Sequence, residues 1–399
     1  MKHLVIIGLT IPEPQSTAAG SRMMQLITLF QKNSYRISFL SSAKETDFSE
    51  KIAFQKIELN HHSFDEIIKE LNPDIVLFDR FITEEQFGWR VSEQCPNALK
   101  ILDTEDLHFL RETRRKAFFE GKEIKPQDYI NQTFKREIAS ILRCDLSIII
   151  SEYEWELLTK TFGISQNILF YLPFISDEKP PKTNPYNERK NFVSIGNFLH
   201  EPNWQTVLKL KQIWKNIRKK LPNTELHIYG AYASEKVFQL HNESEGFIIK
   251  GRAESVENTF RKYRVLLAPI PFGAGLKGKL WESMLYGIPN ITSPIGAEGM
   301  HGNLSWNGYV EDNDMTFIEK SIELHENEQQ WLKAQQNGYI ILEQRFNKND
   351  FENLFFQRIN EIENNFTIHR TENFLGQVLQ HHSLQSTKFM SKWIEEKNK

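Results

Sequence analysis

Residues 265–289 read VLLAPIPFGAGLKGKLWESMLYGIP. The opening run, VLLAPIP, is apolar throughout and closes on Pro269 and Pro271, which predicts a strand buried on both faces. FGAG follows, with Gly273 and Gly275 where the backbone must turn tightly or approach a ligand closely. From Leu276 the pattern is helical, and Gly287 with Pro289 stops it. A glycine loop feeding a helix start offers an anion the free N–H groups and positive dipole end of that helix. Lys277 and Lys279 add two full charges. Glu282 stands one turn further on, and a carboxylate there can accept paired hydrogen bonds from a diol such as ribose. The stretch therefore predicts a holder for a nucleotide diphosphate, although an ordinary turn and solvated lysines would share the same spacing. A GxxxxGK[ST] phosphate loop is absent, and the loop after the first strand, TIPEPQSTAAGSR at 10–22, has no GxGxxG pattern.

The same strand–loop–helix grammar runs outward in both directions. HLVIIGL, RISFL, DIVLF, ALKIL, LSIII and ILFYL read as buried strands, mostly separated by amphipathic segments such as SRMMQLITLFQKN and SEYEWELLTKTFG. A stretch rich in proline, asparagine and charge, ISDEKPPKTNPYNERKN, then predicts a linker. A second series begins after it. FVSIGNF, ELHIYGA, GFIIKGR and PNITSPI join VLLAPIP as strands, with NWQTVLKLKQIWKNIRKKLP and VENTFRKYR among the helices. Strand signals stop near residue 345. The organisation expected is a first α/β domain over 1–178, a linker over 179–190, a second α/β domain over 191–345 and a helical tail over 346–399. Two such units predict two open parallel sheets whose strand ends face a shared cleft.

Totals narrow the function further. The chain has 399 residues, 40% hydrophobic and 25% charged, with a formal charge of -3. That balance argues against a general nucleic-acid binder. Cys95 and Cys144 are the two cysteines and form no CxxC, so neither a disulfide framework nor a zinc site is expected. MKHLVIIGLTIPEP carries too short an apolar run for a signal or membrane helix, which predicts a cytoplasmic protein.

Two segments, FVSIGNFLHEPNWQTVLKLKQIWKNIRKKLPNTELHIYGA and VLLAPIPFGAGLKGKLWESMLYGIPNITSPIGAEGM, resemble the nucleotide-sugar-binding domain of the group 1 (family 4) glycosyltransferases of the GT-B class. The likeness spans roughly 192–345 and is most specific over 266–300; AAGSRMMQL and LDTEDLHFLRE extend it loosely into the first half. The resemblance implies two facing Rossmann-like domains, the acceptor on the first, the donor on the second, and C-terminal helices crossing back to the first. It implies a nucleotide-sugar donor, a saccharide or lipid-linked acceptor, retention of anomeric configuration, and neither a metal nor another cofactor. In the family's Glu-x7-Glu motif the ribose-holding glutamate falls on Glu282, but the sugar-contacting one falls on Ala274. Backbone N–H groups of Gly275 and Leu276, or another side chain, must then serve. Where relatives carry an Arg and a Lys after the domain's first strand, GNFLHEPNW offers His200 and Asn203, so Lys277 and Lys279 are expected to steady the leaving diphosphate.

Further candidates come from strand ends. Gly196 and Asn197 follow the second domain's first strand, and the resemblance sets them at the donor. Arg252 after FIIKG could reach the base or diphosphate, or be a solvated charge. Glu298 and Gly299 in IGAEGM could border the nucleotide, or form a turn. In LDTEDLHFLRE, His108 is expected beside the reacting sugar and Asp106 on the acceptor side, a packed histidine and a helix cap being the plain alternatives. Gly20, Ser21 and Arg22 open a helix after the first strand and are expected on the acceptor side. The basic run RETRRKAFF reads as a solvated helix with an apolar core stripe, with contact to an anionic acceptor or peripheral contact to the inner face of a membrane as the alternative. Beside a transferase of surface polysaccharide or glycolipid assembly, the residues leave open a nucleotide-sugar epimerase or hydrolase and a non-catalytic sugar-nucleotide binder of the same fold.

Overall fold

The computed structural model describes residues 1–46, 53–176 and 180–398, without the side chains of 382–384. Residues 177–179 of the predicted linker, including the predicted boundary at 178, lie outside the described residues.

The first sheet contains β1 (His3–Gly8), β2 (Arg36–Ser41), β3 (Phe54–Lys56), β4 (Ile75–Asp79), β5 (Leu99–Asp103), β6 (Leu146–Ile149) and β7 (Leu169–Tyr171). Its order is β3-β2-β1-β4-β5-β6-β7, parallel throughout. The second sheet contains β8 (Lys190–Ile195), β9 (Leu226–Tyr229), β10 (Phe247–Gly251), β11 (Tyr263–Ala268), β12 (Asn290–Thr292) and β13 (Gly308–Val310), in the order β10-β9-β8-β11-β12-β13 and again parallel. Continuous apolar runs form these strands because helices cover both faces of each sheet. HLVIIG in β1 is accordingly buried at all six positions.

Both sheets reverse direction at their first strand, between β1 and β4 and between β8 and β11. Such a switch point opens a crevice at the strands' carboxyl ends, where ligands bind in this architecture. The tail joins the first domain: Phe355, Phe356, Ile359 and Ile362 pack with Leu4, Ile6 and Phe30. Further along, Arg370 pairs with Asp145 at 2.8 Å, and Gln380 donates to the Arg143 carbonyl. Two Rossmann-like domains with a returning helical tail are the architecture the sequence predicts.

Local details differ. VENTFRKYR is helical only over Val256–Phe260, because Tyr263 already pairs with Lys190 as the start of β11. In SEYEWELLTKTFG, α-helix over Glu152–Glu156 passes into a π turn over Leu157–Thr161. β3 and β13, FQK and GYV, went unread because neither sits in an apolar run of strand length.

Candidate active site

The loop after β11 and the helix that follows it form one wall of a cleft of about 420 Å³ between the two domains. The helix spans Gly278–Leu285, with Lys277 as its N-cap. Two glycines here are geometrically required. Gly275 holds φ at +62°, and a Cβ on it would stand 2.7 Å from the Asp106 Cβ of the other domain. A Cβ on Gly278 would stand 2.6 Å from that of Ala18. The helix start is thus pressed directly against the first domain.

The charged groups of this wall are half-buried. Lys277 Nζ donates to the carbonyls of Gly275 at 2.6 Å and Ala274 at 3.2 Å, and Lys279 Nζ donates to Asn203 Oδ1 at 2.8 Å. Burial pulls both ammonium groups down to about 8; Glu298 opposes this at Lys277, and Glu282 opposes it at Lys279. Burial likewise pushes Glu282 up to about 7, against the pull of Lys279. Cations and a carboxylate held this far from water are poised for a ligand that restores their lost solvation.

The opposite wall comes from the ends of β4 and β5. Arg80 and Glu105, the residues just beyond Asp79 and Thr104, hold φ at +69° and +62° and line the cleft. Such backbone costs free energy in a non-glycine residue and gathers at functional sites. Asp106 is engaged by Arg111, with Nη1–Oδ1 at 2.6 Å. Burial opposes its ionisation, but Arg111, His108 and His200 outweigh it and hold the carboxyl at about 2. His108 Nδ1 lies 3.2 Å from the Asp106 carbonyl and 3.3 Å from Glu137 Oε1, with its ring edge-on to Phe81. His200, across the cleft, is pushed down to about 4 by burial first and Arg111 next.

Side chains also tie the two walls together. Arg114, 7% exposed, donates to the Gly273 carbonyl at 2.8 Å and to both oxygens of Glu298 at 2.7 Å. Glu154 Oε1 accepts the N–H of Leu107 from one domain at 2.9 Å and that of Gly275 from the other at 2.8 Å. Tyr232 donates to Glu13, and Arg252 donates to Ser16. Ala274 is buried within the first domain's apolar cluster.

The cleft gathers most of the sequence-predicted residues. Lys277, Lys279, Glu282, Gly273 and Leu276 line it from one side; Gly196, Asn197 and Arg252 join them, and His108 and Asp106 face them. Six fall elsewhere. The helix after β1 begins at Ala18 on a Thr17 cap, so Thr17, Ala18 and Ala19 meet the cleft and the next turn faces inward. Gly20 backs onto Glu13, Ser21 Oγ donates to the Pro14 carbonyl, and Arg22 is 1% exposed, paired with Asp103 at 3.1 Å. The Gly275 N–H is taken by Glu154 and is not offered to a ligand. Glu298 serves the Arg114 bridge, and Gly299 is turned against Ser151. In RETRRKAFF, Glu112, Arg115 and Lys116 are solvent-exposed, while Arg111 and Arg114 turn inward and Phe118 and Phe119 stay exposed instead of forming an apolar core stripe.

Sequence reading passed over Arg80, Glu105 and Glu154, and it placed Arg114 in a basic cluster without foreseeing its bridge to Glu298. For Glu105 the signal was present, in the same strand-end motif as Asp106 and His108. Among the described residues, no group of three or more His, Cys, Asp or Glu is placed to hold a metal ion, and no helix is long and apolar enough to cross a membrane.

Residues 189–327 match the family model described as "Glycosyl transferases group 1". No curated protein matches the chain in sequence. Solved structures do match in fold. HepE from Anabaena, in complex with UDP and glucose, superposes with a TM-score of 0.68 at 11% identity, covering 90% of this chain and 100% of that one. Sucrose-phosphate synthase from Thermosynechococcus elongatus gives 0.67 at 12%, covering 91% and 99%. An S. aureus TarM variant in complex with fondaparinux, α-GlcNAc-glycerol and UDP gives 0.59 at 13%, covering 74% of this chain and 58% of that one. Residues 189–327 therefore resemble the group 1 glycosyltransferases, and the two parallel sheets with the returning tail give the chain the two-domain fold of these solved structures.

Proposed function

We propose that the protein transfers a sugar from a nucleotide-diphosphate sugar to an acceptor hydroxyl, with retention of anomeric configuration. One observation carries the reading: Lys277, Lys279 and Glu282 converge at a helix start on the floor of an interdomain cleft. The diphosphate would lie against the two ammonium groups and the free amides of the first helical turn, with the ribose diol on Glu282. The acceptor hydroxyl would attack the anomeric carbon on the face from which the diphosphate leaves. The bond to the β-phosphate oxygen breaks and its electron pair departs with that oxygen; the acceptor proton passes to a phosphate oxygen. Chain residues then orient the reactants and hold the charge that builds on the leaving group. His108 and Asp106 would border the reacting sugar and acceptor. The UDP in the HepE and TarM complexes supports testing UDP first. We assign no further cofactor, expect turnover to survive EDTA, and place the protein in the cytoplasm, acting on a saccharide or lipid-linked acceptor.

A thermal-shift panel of UDP, GDP, ADP and their common sugar conjugates tests the site. One nucleotide should raise the melting temperature clearly. Glu282→Ala should weaken that nucleotide about 10- to 100-fold by calorimetry, the scale of hydrogen bonds to a charged group. An unchanged affinity would remove the ribose role. No response to any nucleotide would remove the donor site.

The titration positions add a pH test. Two ribose hydroxyls donate best to an ionised Glu282, so affinity should fall as pH drops below about 7. The diphosphate needs protonated lysines, so affinity should fall again above about 8. Calorimetry with the preferred diphosphate at pH 6, 7.5 and 9 should show tightest binding at the middle value, and a flat profile would contradict the assignment.

A further inference from the structure

Three carboxylates line the cleft: Glu105, Asp106 and Glu282. Asp106 is taken up by Arg111. Glu282 belongs, on the reading above, to the ribose. Glu105 is left, and its Oε1 is buried with no hydrogen-bond partner among the described residues. A buried acceptor without a partner costs stability, and so does the positive φ of this residue. Like charge adds to the strain: burial, followed by Asp103, pushes this carboxyl up to about 8, with Arg80 opposing. The Oε1 is buried without a donor, the backbone is strained and the residue lines the cleft, a combination that a ligand hydroxyl reaching this carboxyl would relieve.

Its neighbours indicate which part of the ligand. A Cβ on Gly275 would stand 3.3 Å from the Glu105 carbonyl oxygen, so Glu105 adjoins the glycine loop itself. That loop offers no side-chain acceptor at residue 274, because the Ala274 methyl is packed into the first domain's apolar cluster. With the diphosphate on Lys277 and Lys279 and the ribose at Glu282, the sugar at the diphosphate's other end extends toward the first-domain wall. We infer that Glu105 accepts a hydroxyl of the donor sugar from across the cleft, so that sugar recognition is shared between the two domains. This rests on the donor-site reading above.

The test compares the nucleoside diphosphate that stabilises the wild type most with its glucose, galactose, mannose and N-acetylglucosamine conjugates. Glu105→Ala should leave the affinity for the diphosphate alone within about twofold. For the best-bound sugar conjugate, the ratio of conjugate affinity to diphosphate affinity should fall about tenfold, the loss of one hydrogen bond to a buried acceptor. Glu105→Gln, which keeps an acceptor oxygen, should recover most of that ratio. The melting temperature of Glu105→Ala should match or exceed that of the wild type, because an unsatisfied acceptor has been removed. An unchanged ratio overturns the inference. So does an equal loss for diphosphate and conjugate, or a lowered melting temperature, either of which marks a structural carboxylate. If the wild type responds to no nucleotide, the donor-site reading fails and this inference fails with it.

Discussion

Lys279→Met is expected to lower kcat about 100- to 1,000-fold, the usual effect of removing one donor aimed at a developing oxyanion. Its Nζ makes one hydrogen bond, to Asn203 Oδ1, and keeps donors free toward the cleft. Lys277→Met should cost less, about tenfold, because two of its donors already go to the Ala274 and Gly275 carbonyls. Both variants should fold normally, since each replaces a cation that burial disfavours with an apolar chain of similar length. Single-turnover rates with a saturating donor would separate chemistry from product release. Full activity in Lys279→Met would remove this lysine from the leaving-group site and shift the charge to the helix amides and Lys277.

Arg22→Met is expected to destabilise the first domain by about 3–5 kcal/mol, the cost of leaving a buried carboxylate without its partner. Arg22 Nε lies 3.2 Å from both oxygens of Asp103 and Nη1 donates to the Pro173 carbonyl, all away from solvent. Asp103 ends β5 and is fully buried, so water has no route to replace the guanidinium. Thermal melting should fall by roughly 10 °C for a domain of this size. Pairing the change with Asp103→Leu should restore most of the loss, because no charge is then stranded. Measured well below the melting point, nucleotide affinity should match the wild type. A large fall in affinity without a fall in stability would return Arg22 to the ligand.

The Arg22 outcome shows where local reading stops. GSR after the first strand suggested a helix opening onto the cleft. The helix instead begins two residues earlier, at Ala18 on the Thr17 cap, which rotates Arg22 inward toward a partner 81 residues away. Glu298 is similar: its strand-end position suggested a border of the nucleotide, yet its partner is Arg114, 184 residues distant.

From sequence alone, the two parallel sheets, a helical tail and the strand–loop–helix around Glu282 were determined, while the tail's return to the first domain came from the family resemblance. Each rests on local signals: apolar runs of strand length, helical periodicity, and the glycine and proline that end a helix. The partner of each charge was decided only by tertiary structure. Arg114 became an interdomain bridge and Arg22 a buried counter-ion, while Glu105 Oε1 was left without a donor among the described residues. Local pattern sets backbone shape, whereas the free energy of a buried charge depends on what lies within a few ångströms, and those neighbours come from distant parts of the chain.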